Sequence, residues 1–196
     1  MFAGHAALAA LAGSTRPSVP VVPLVLAAYA ADALEIAYHA FGVSHASAMQ
    51  WSHSITAMLI GGTCFGLLVL AVLRRVDVAA LAGLVYASHW LCDLLTGENK
   101  PTWIGGPSLG FGLYQAPAAD FVIETLLVIA AAVVYQWRRP TQMRRVVAAA
   151  AVLVMLQLGF NLGDRAHLHG LKRNLVRATS AAVSRVTVSS QLQPSA

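Results

Sequence analysis

VAALAGLVYASHWLCDLL, residues 78–95, is an apolar run that carries Ser88, His89 and Asp93 near its end. It is long enough to cross a bilayer, which takes about 20 apolar residues. A central aspartate costs about 2.5–3.5 kcal/mol to place in a spanning helix on translocon scales. His89 and Asp93 stand at i and i+4, so a helix carries both on one face. Two ligand-type side chains on one face at membrane depth read as a site.

The rest of the chain agrees with a membrane reading. Of 196 residues, 58% are hydrophobic and 11% charged, with a mean hydropathy of +0.66. A soluble domain is about 25% charged. The net charge of +5 would suit nucleic-acid binding, but the arginines gather at segment ends, where orientation signals belong, and this excludes that class. Cys64 and Cys92 fall in separate spans with no CxxC pairing and read as small, buried, reduced residues. Residues 1–13 lack the basic start of a cleaved signal and are expected in the mature protein.

Outward from the quoted run, the pattern predicts an all-α polytopic bundle of about five spans plus a short N-terminal half-helix. The half-helix covers residues 2–12. A breaker-rich linker, GSTRPSVP (13–20), leads to a first span at 21–41, a polar loop at 42–52 and a second span at 55–73. Asp77 is expected to cap the third span, 78–95. A loop rich in glycine and proline follows (96–117), then spans at 118–137 and 146–162. The membrane domain is placed at 1–163, and 164–196 as a polar, basic, partly disordered tail. Arg74-Arg75, Arg138-Arg139, Arg144-Arg145 and Arg16 fall on one side, which the positive-inside rule makes cytoplasmic. The tail's own basic residues end on the opposite side, against the rule.

Asp32, Glu35, Asp93, Asp120 and Glu124 fall inside predicted spans, where acids usually pair or line a functional path. Tracing the chain brings His39, His53, His89, Asp93, Asp120 and Glu124 toward one leaflet, with Asp32 nearer mid-depth. His5 joins them if the half-helix dips in from that side. Imidazoles and carboxylates at one depth suit a hard or borderline metal ion. A plainer reading stands beside each residue. Ser52 can cap a helix and leave His53 merely interfacial. Asp120 can be a first-turn acid favoured by the helix dipole, and Glu35 a bundle-facing partner for a histidine or arginine. His39 and His45 read as ordinary residues at or beyond a span's end, and His167 and His169 as tail residues without a catalytic part. The loop KPTWIGGPSLGFGLY (100–114) reads equally as a lid over the cluster or as an interfacial seal.

At Gly4-His5, Asp32, His53-Ser54 and His89-x-x-x-Asp93, the chain resembles the bacterial predicted membrane-bound metal-dependent hydrolases. Their broader relatives include a LexA-binding inner-membrane protein. Trp51-Ser52-His53-Ser54, Ser88-His89-Trp90, and the Gly-Gly-Pro…Gly-Phe-Gly-Leu loop followed by Glu124 extend the likeness, which covers about residues 1–137. The resemblance implies a divalent-metal site from His5, Asp32, His53, His89 and Asp93, with Glu124 as an extra ligand or base. The broader group carries Asp-x-Asp-His where this chain has Asp32-Ala33-Leu34-Glu35, and an arginine before its Thr-His-Ser that is missing here.

The functional expectation is a metal-dependent hydrolase of the inner membrane with its site near the outer leaflet. Zinc is the first choice of ion, with manganese or iron as alternatives. His53, His89 and Asp93 are the leading ligands, His5 and Asp32 complete the shell, and Glu124 or Glu35 is the general base. Membrane lipid is the expected partner, a lipid or lipid-linked phosphoester the expected substrate. The main alternative is a proton or ion translocator using the same residues as a relay. Haem ligation by paired histidines and a non-catalytic adaptor are the remaining readings.

Overall fold

Long apolar runs bounded by glycine, proline and paired arginines form helices, because only internally hydrogen-bonded backbone tolerates lipid. The computed structural model describes residues 2–97, 99–140 and 143–163. Its helices are α1 (Phe2–Thr15), α2 (Val21–Ala40), α3 (His45–His53), α4 (Ile55–Leu73), α5 (Val76–Thr96) and α6 (Pro117–Arg138), followed by α7 (Met143–Gly163). Of these, α2, α4, α5, α6 and α7 are long and apolar enough to cross a membrane. The chain is thus an all-α, multi-pass membrane bundle. Large side chains such as Leu26, Ile60, Leu68, Leu84, Leu126 and Val133 stand exposed around it, as lipid-facing positions require. One compact unit spans Met1–Leu158; a second, Gly159–Ala196, is described only over 159–163, where it is helical. The expected tail, with His167 and His169, lies outside the described residues.

Packing follows the small residues. Leu24, Ala27, Ala28 and Ala31 of α2 meet Met58 of α4 and Val78, Ala82, Val85 and Tyr86 of α5 in the main buried cluster. A second cluster joins Ala3 and Ala7 of α1 to Val128 and Ala131 of α6, with Ala150 and Leu153 of α7 against it. Between α4 and α5 the approach is closest. A Cβ on Gly62 would stand 2.7 Å from the Gly83 carbonyl oxygen, and one on Gly83 would stand 2.8 Å from that of Gly62. Small residues permit such contact, which van der Waals packing in lipid rewards.

Several local expectations are corrected. Residues 45–52, part of the loop expected at 42–52, form α3 together with His53, because Ser44 caps the helix by accepting from the Ser47 N–H. The cap of α4 is Ser54, which accepts from Ala57 N–H, so Ser52 is no cap there. Asp77 lies in the first turn of α5 and pairs with Arg75 at 2.6 Å, without capping. Cys64 is exposed and Cys92 half-buried, both free, since Cys64 occupies the outward face of α4. The long loop contains a two-residue antiparallel pairing of Lys100–Pro101 with Ser108–Leu109 (β1 and β2) and a 3-10 turn at Leu113–Gln115.

The half-helix α1 also arrives differently from expectation. Its first turn meets Glu124 of α6, while Gly13, at its other end, accepts from Arg139 Nη2. So α1 runs alongside α6 in the same direction, and its later turns reach the arginine end. Arg139 also bonds the Arg16 carbonyl, and Arg75 the Ser18 carbonyl, which gathers the arginines at one end of the bundle. His5 therefore reaches the cluster from the arginine side.

Candidate metal centre

An α-helix leaves its first N–H groups without partners, and at membrane depth each must find one. Here Glu124 accepts from Phe2 N–H at 3.3 Å and Gly4 N–H at 2.9 Å, while Gln157 of α7 accepts from Ala3 N–H at 3.3 Å. The Gln157 amide in turn donates to Asp120 and Glu124. Glu124 and Asp120, both buried, thus share an anchoring role at the start of α1. Gly4-His5 is held there, with the His5 ring stacked on His89 at 3.8 Å between centroids.

His89 and Asp93 of α5, His53 at the end of α3 and Asp32 of α2 complete the centre. His89 lies about 10 Å below the end of α5 at 1.5 Å per residue. His89 Nε2 and His53 Nε2 are 3.2 Å apart. Asp32 Oδ1 stands 3.3 Å from the first of these contacts' His53 nitrogen and 3.4 Å from that of His89. Asp93 Oδ2 is 3.6 Å from His53 Nε2 and 3.5 Å from His89 Nε2. For ligand bonds of about 2.0–2.1 Å, a tetrahedral edge measures about 3.3–3.4 Å. Every edge that includes an imidazole has roughly that length.

The hydrogen positions follow from the partners. His89 Nδ1 is 2.8 Å from the Ala28 carbonyl, which only accepts, so Nδ1 carries the hydrogen. Ser52 Oγ donates to the Ala48 carbonyl at 2.7 Å and thereby presents lone pairs to His53 Nδ1, also 2.7 Å away. Glu35 Oε2 approaches the same Nδ1 at 3.6 Å. Both neutral rings therefore turn an Nε2 lone pair toward the other, an arrangement that needs a cation or a proton between them. Outer partners that fix the ligating nitrogen in this way are the usual support of a metal-binding histidine.

His5, His53, His89 and Asp93 are buried, whereas the Asp32 side chain is 40% exposed. The centre thus opens past α2. Asp93 is held on both oxygens, by His5 Nε2 at 3.2 Å on Oδ1 and by Lys100 Nζ at 2.5 Å on Oδ2. Lys100 had no role in the sequence reading; its one signal was a cation seven residues beyond Asp93, at the head of the unusual loop. That loop is pinned across the centre. Trp90 Nε1 donates to Pro101, Ile55 N–H to Thr102, and Gly105 N–H to Gln50.

Among the described residues, the metal-ligating side chains form overlapping triads, each with its ligand atoms within 4.8 Å of one another: His53/His89/Asp93, His5/Asp32/His89, Asp32/Glu35/His53 and Glu35/His39/His45. The five residues expected as ligands come together, and their donor set suits a divalent ion. Glu35 borders the centre, and Glu124 faces the start of α1. His39 and His45, expected to be ordinary, form the last triad with Glu35. No protein-family model, curated protein or solved structure matches the chain.

Proposed function

We propose that the chain is a membrane-bound, metal-dependent hydrolase whose centre is His53, His89, Asp32 and Asp93, with His5 beside them. The carrying observation is the facing pair of Nε2 atoms, 3.2 Å apart, whose Nδ1 hydrogens are committed elsewhere. Mixed imidazole and carboxylate donors at these spacings favour zinc, with manganese or iron as alternatives. A bound ion of this kind supplies Lewis acidity and lowers the pKa of its water toward about 7.

The chain's own residues supply the rest. Asp32, on the open side, faces an incoming substrate. Glu35 stands at the rim with one oxygen toward His53 Nδ1, and supports that ring from outside the centre. Glu124 is spent on α1 and acts as a positioning residue. Lys100 sits beside Asp93 where an ammonium can meet a phosphate oxygen. Trp51, Trp103 and Phe111 are exposed near this end, as aromatic residues are at a membrane interface. These features favour a lipid or lipid-linked phosphoester over a water-soluble substrate. Positive-inside reasoning puts the arginine end in the cytoplasm and the centre in the outer leaflet of the inner membrane.

A proton or ion relay would need ionisable groups continuing through the bilayer. Toward the arginine end, the main core is Leu24, Ala27, Val69, Val78 and Ala82, which favours a site over a pathway. The test is turnover of a panel of lipid phosphoesters by zinc-loaded protein in mixed micelles. Lys100→Met is expected to keep its zinc and lose about 10–100-fold in kcat/KM, or about 1.4–2.7 kcal/mol. Absence of turnover by fully loaded protein across phosphoesters and carboxyl esters would overturn the hydrolase reading.

A further inference from the structure

The turn between α2 and α3 builds a second constellation outside the centre just described. Gly42, at φ +78°, closes α2. Val43 N–H bonds the Tyr38 carbonyl and Gly42 N–H the His39 carbonyl, a Schellman closure that needs a left-handed residue where glycine stands. Ser44 starts α3 at once, so the chain doubles back and His45 is brought over His39. Their rings stack at 5.4 Å with 15° between planes.

Three ligand atoms converge there. Glu35 Oε1 is 3.4 Å from His39 Nε2 and 3.2 Å from His45 Nδ1, and the two nitrogens are 3.4 Å apart. Ordinary N–H···O bonds cluster at about 2.7–3.2 Å. Two of the three distances exceed that range, and all three lie close to the edges of a tetrahedral face with ligand bonds of about 2.0–2.1 Å, which measure about 3.3–3.4 Å. His39 and His45 have side chains 40% and 73% exposed, which leaves a fourth position open to solvent. Glu35 links this group to the inner one: Oε1 faces the outer histidines and Oε2 faces His53 Nδ1.

We propose that Glu35, His39 and His45 form a second, solvent-facing site for a zinc-type divalent cation, joined to the buried centre through the Glu35 carboxylate. The overlapping triads then descend from exposed His45 through Glu35 and Asp32 to buried His89. An ion at the outer site loads the inner one along this series.

The test uses full-length protein in detergent, stripped by chelator and titrated with Zn²⁺ against a chromophoric competitor. Co²⁺ absorption gives a second readout. His39→Ala/His45→Ala is expected to bind one equivalent fewer than wild type and to fill the remaining site at least tenfold more slowly. His89→Ala/Asp93→Ala is expected to keep one equivalent with the Co²⁺ spectrum of the outer ligands. Equal stoichiometry and spectra for wild type and His39→Ala/His45→Ala would overturn the proposal, even with the buried ion in place. Loss of one equivalent at unchanged filling rate would overturn the loading role. If His39→Ala/His45→Ala instead binds nothing while His89→Ala/Asp93→Ala still holds its ion, the outer site stands and the buried reading fails.

Discussion

Ser52 shows how much of the centre hangs on one hydroxyl. By donating to Ala48 it accepts from His53, and so turns the His53 Nε2 lone pair inward. Removing such an outer partner typically costs 10–100-fold in metal affinity. Ser52→Ala is therefore expected to weaken zinc by about that factor in a chelator-competition titration, while helix content by circular dichroism stays unchanged. Unchanged affinity would mean that His53 is no ligand. The ligand-type residues themselves were legible from the sequence, because histidines and carboxylates are expensive in apolar spans. The tautomers were not, since they depend on Ala28 and Ser52, residues with no chemical signature of their own. Lys100 was hidden for a similar reason: a lysine in a loop is normally solvated, and only the fold lays it on Asp93.

Among the elements, α1 is the least ordinary, since its first turn is satisfied by side chains of α6 and α7. Glu124→Leu removes the acceptor for the buried Gly4 N–H and the partly buried Phe2 N–H, and a buried one left unsatisfied costs about 1–3 kcal/mol. The expected outcome is a lower thermal midpoint and weaker metal binding, because His5 loses its anchor. Glu124→Gln keeps one acceptor oxygen and is expected to recover part of both. The α4–α5 pair gives a separate prediction. Gly83→Val would drive a side chain into the Gly62 carbonyl and is expected to cut stability by more than about 1–3 kcal/mol, the usual cost of overpacking. Thermal unfolding of detergent-purified protein measures it. The long spans were legible because each needs only an apolar run of sufficient length, and the second matches at 55–73. α3 escaped notice because its sequence, HASAMQWSH, is polar enough to pass for loop. The direction of α1 escaped too, as fourteen residues cannot span, and only Arg139 and Glu124 fix which way it runs.

At the scale of the whole molecule, the described chain divides its polarity by end. Arg16, Arg75 and Arg139 meet at one end, and the buried histidines and acids lie toward the other, across a core of alanine, valine, leucine and methionine. That division was legible from the order of the spans alone, because successive spans must alternate in direction. The central claim is that the inner cluster holds a metal ion, and elemental analysis of detergent-purified protein tests it most directly. Wild type is to be compared with His89→Ala/Asp93→Ala, both prepared without chelator and with metal added back. At least one equivalent of zinc, manganese or iron in wild type, with one equivalent lost in the double variant, is the predicted result. No metal in either protein would contradict the account, and equal metal in both would place the ion elsewhere.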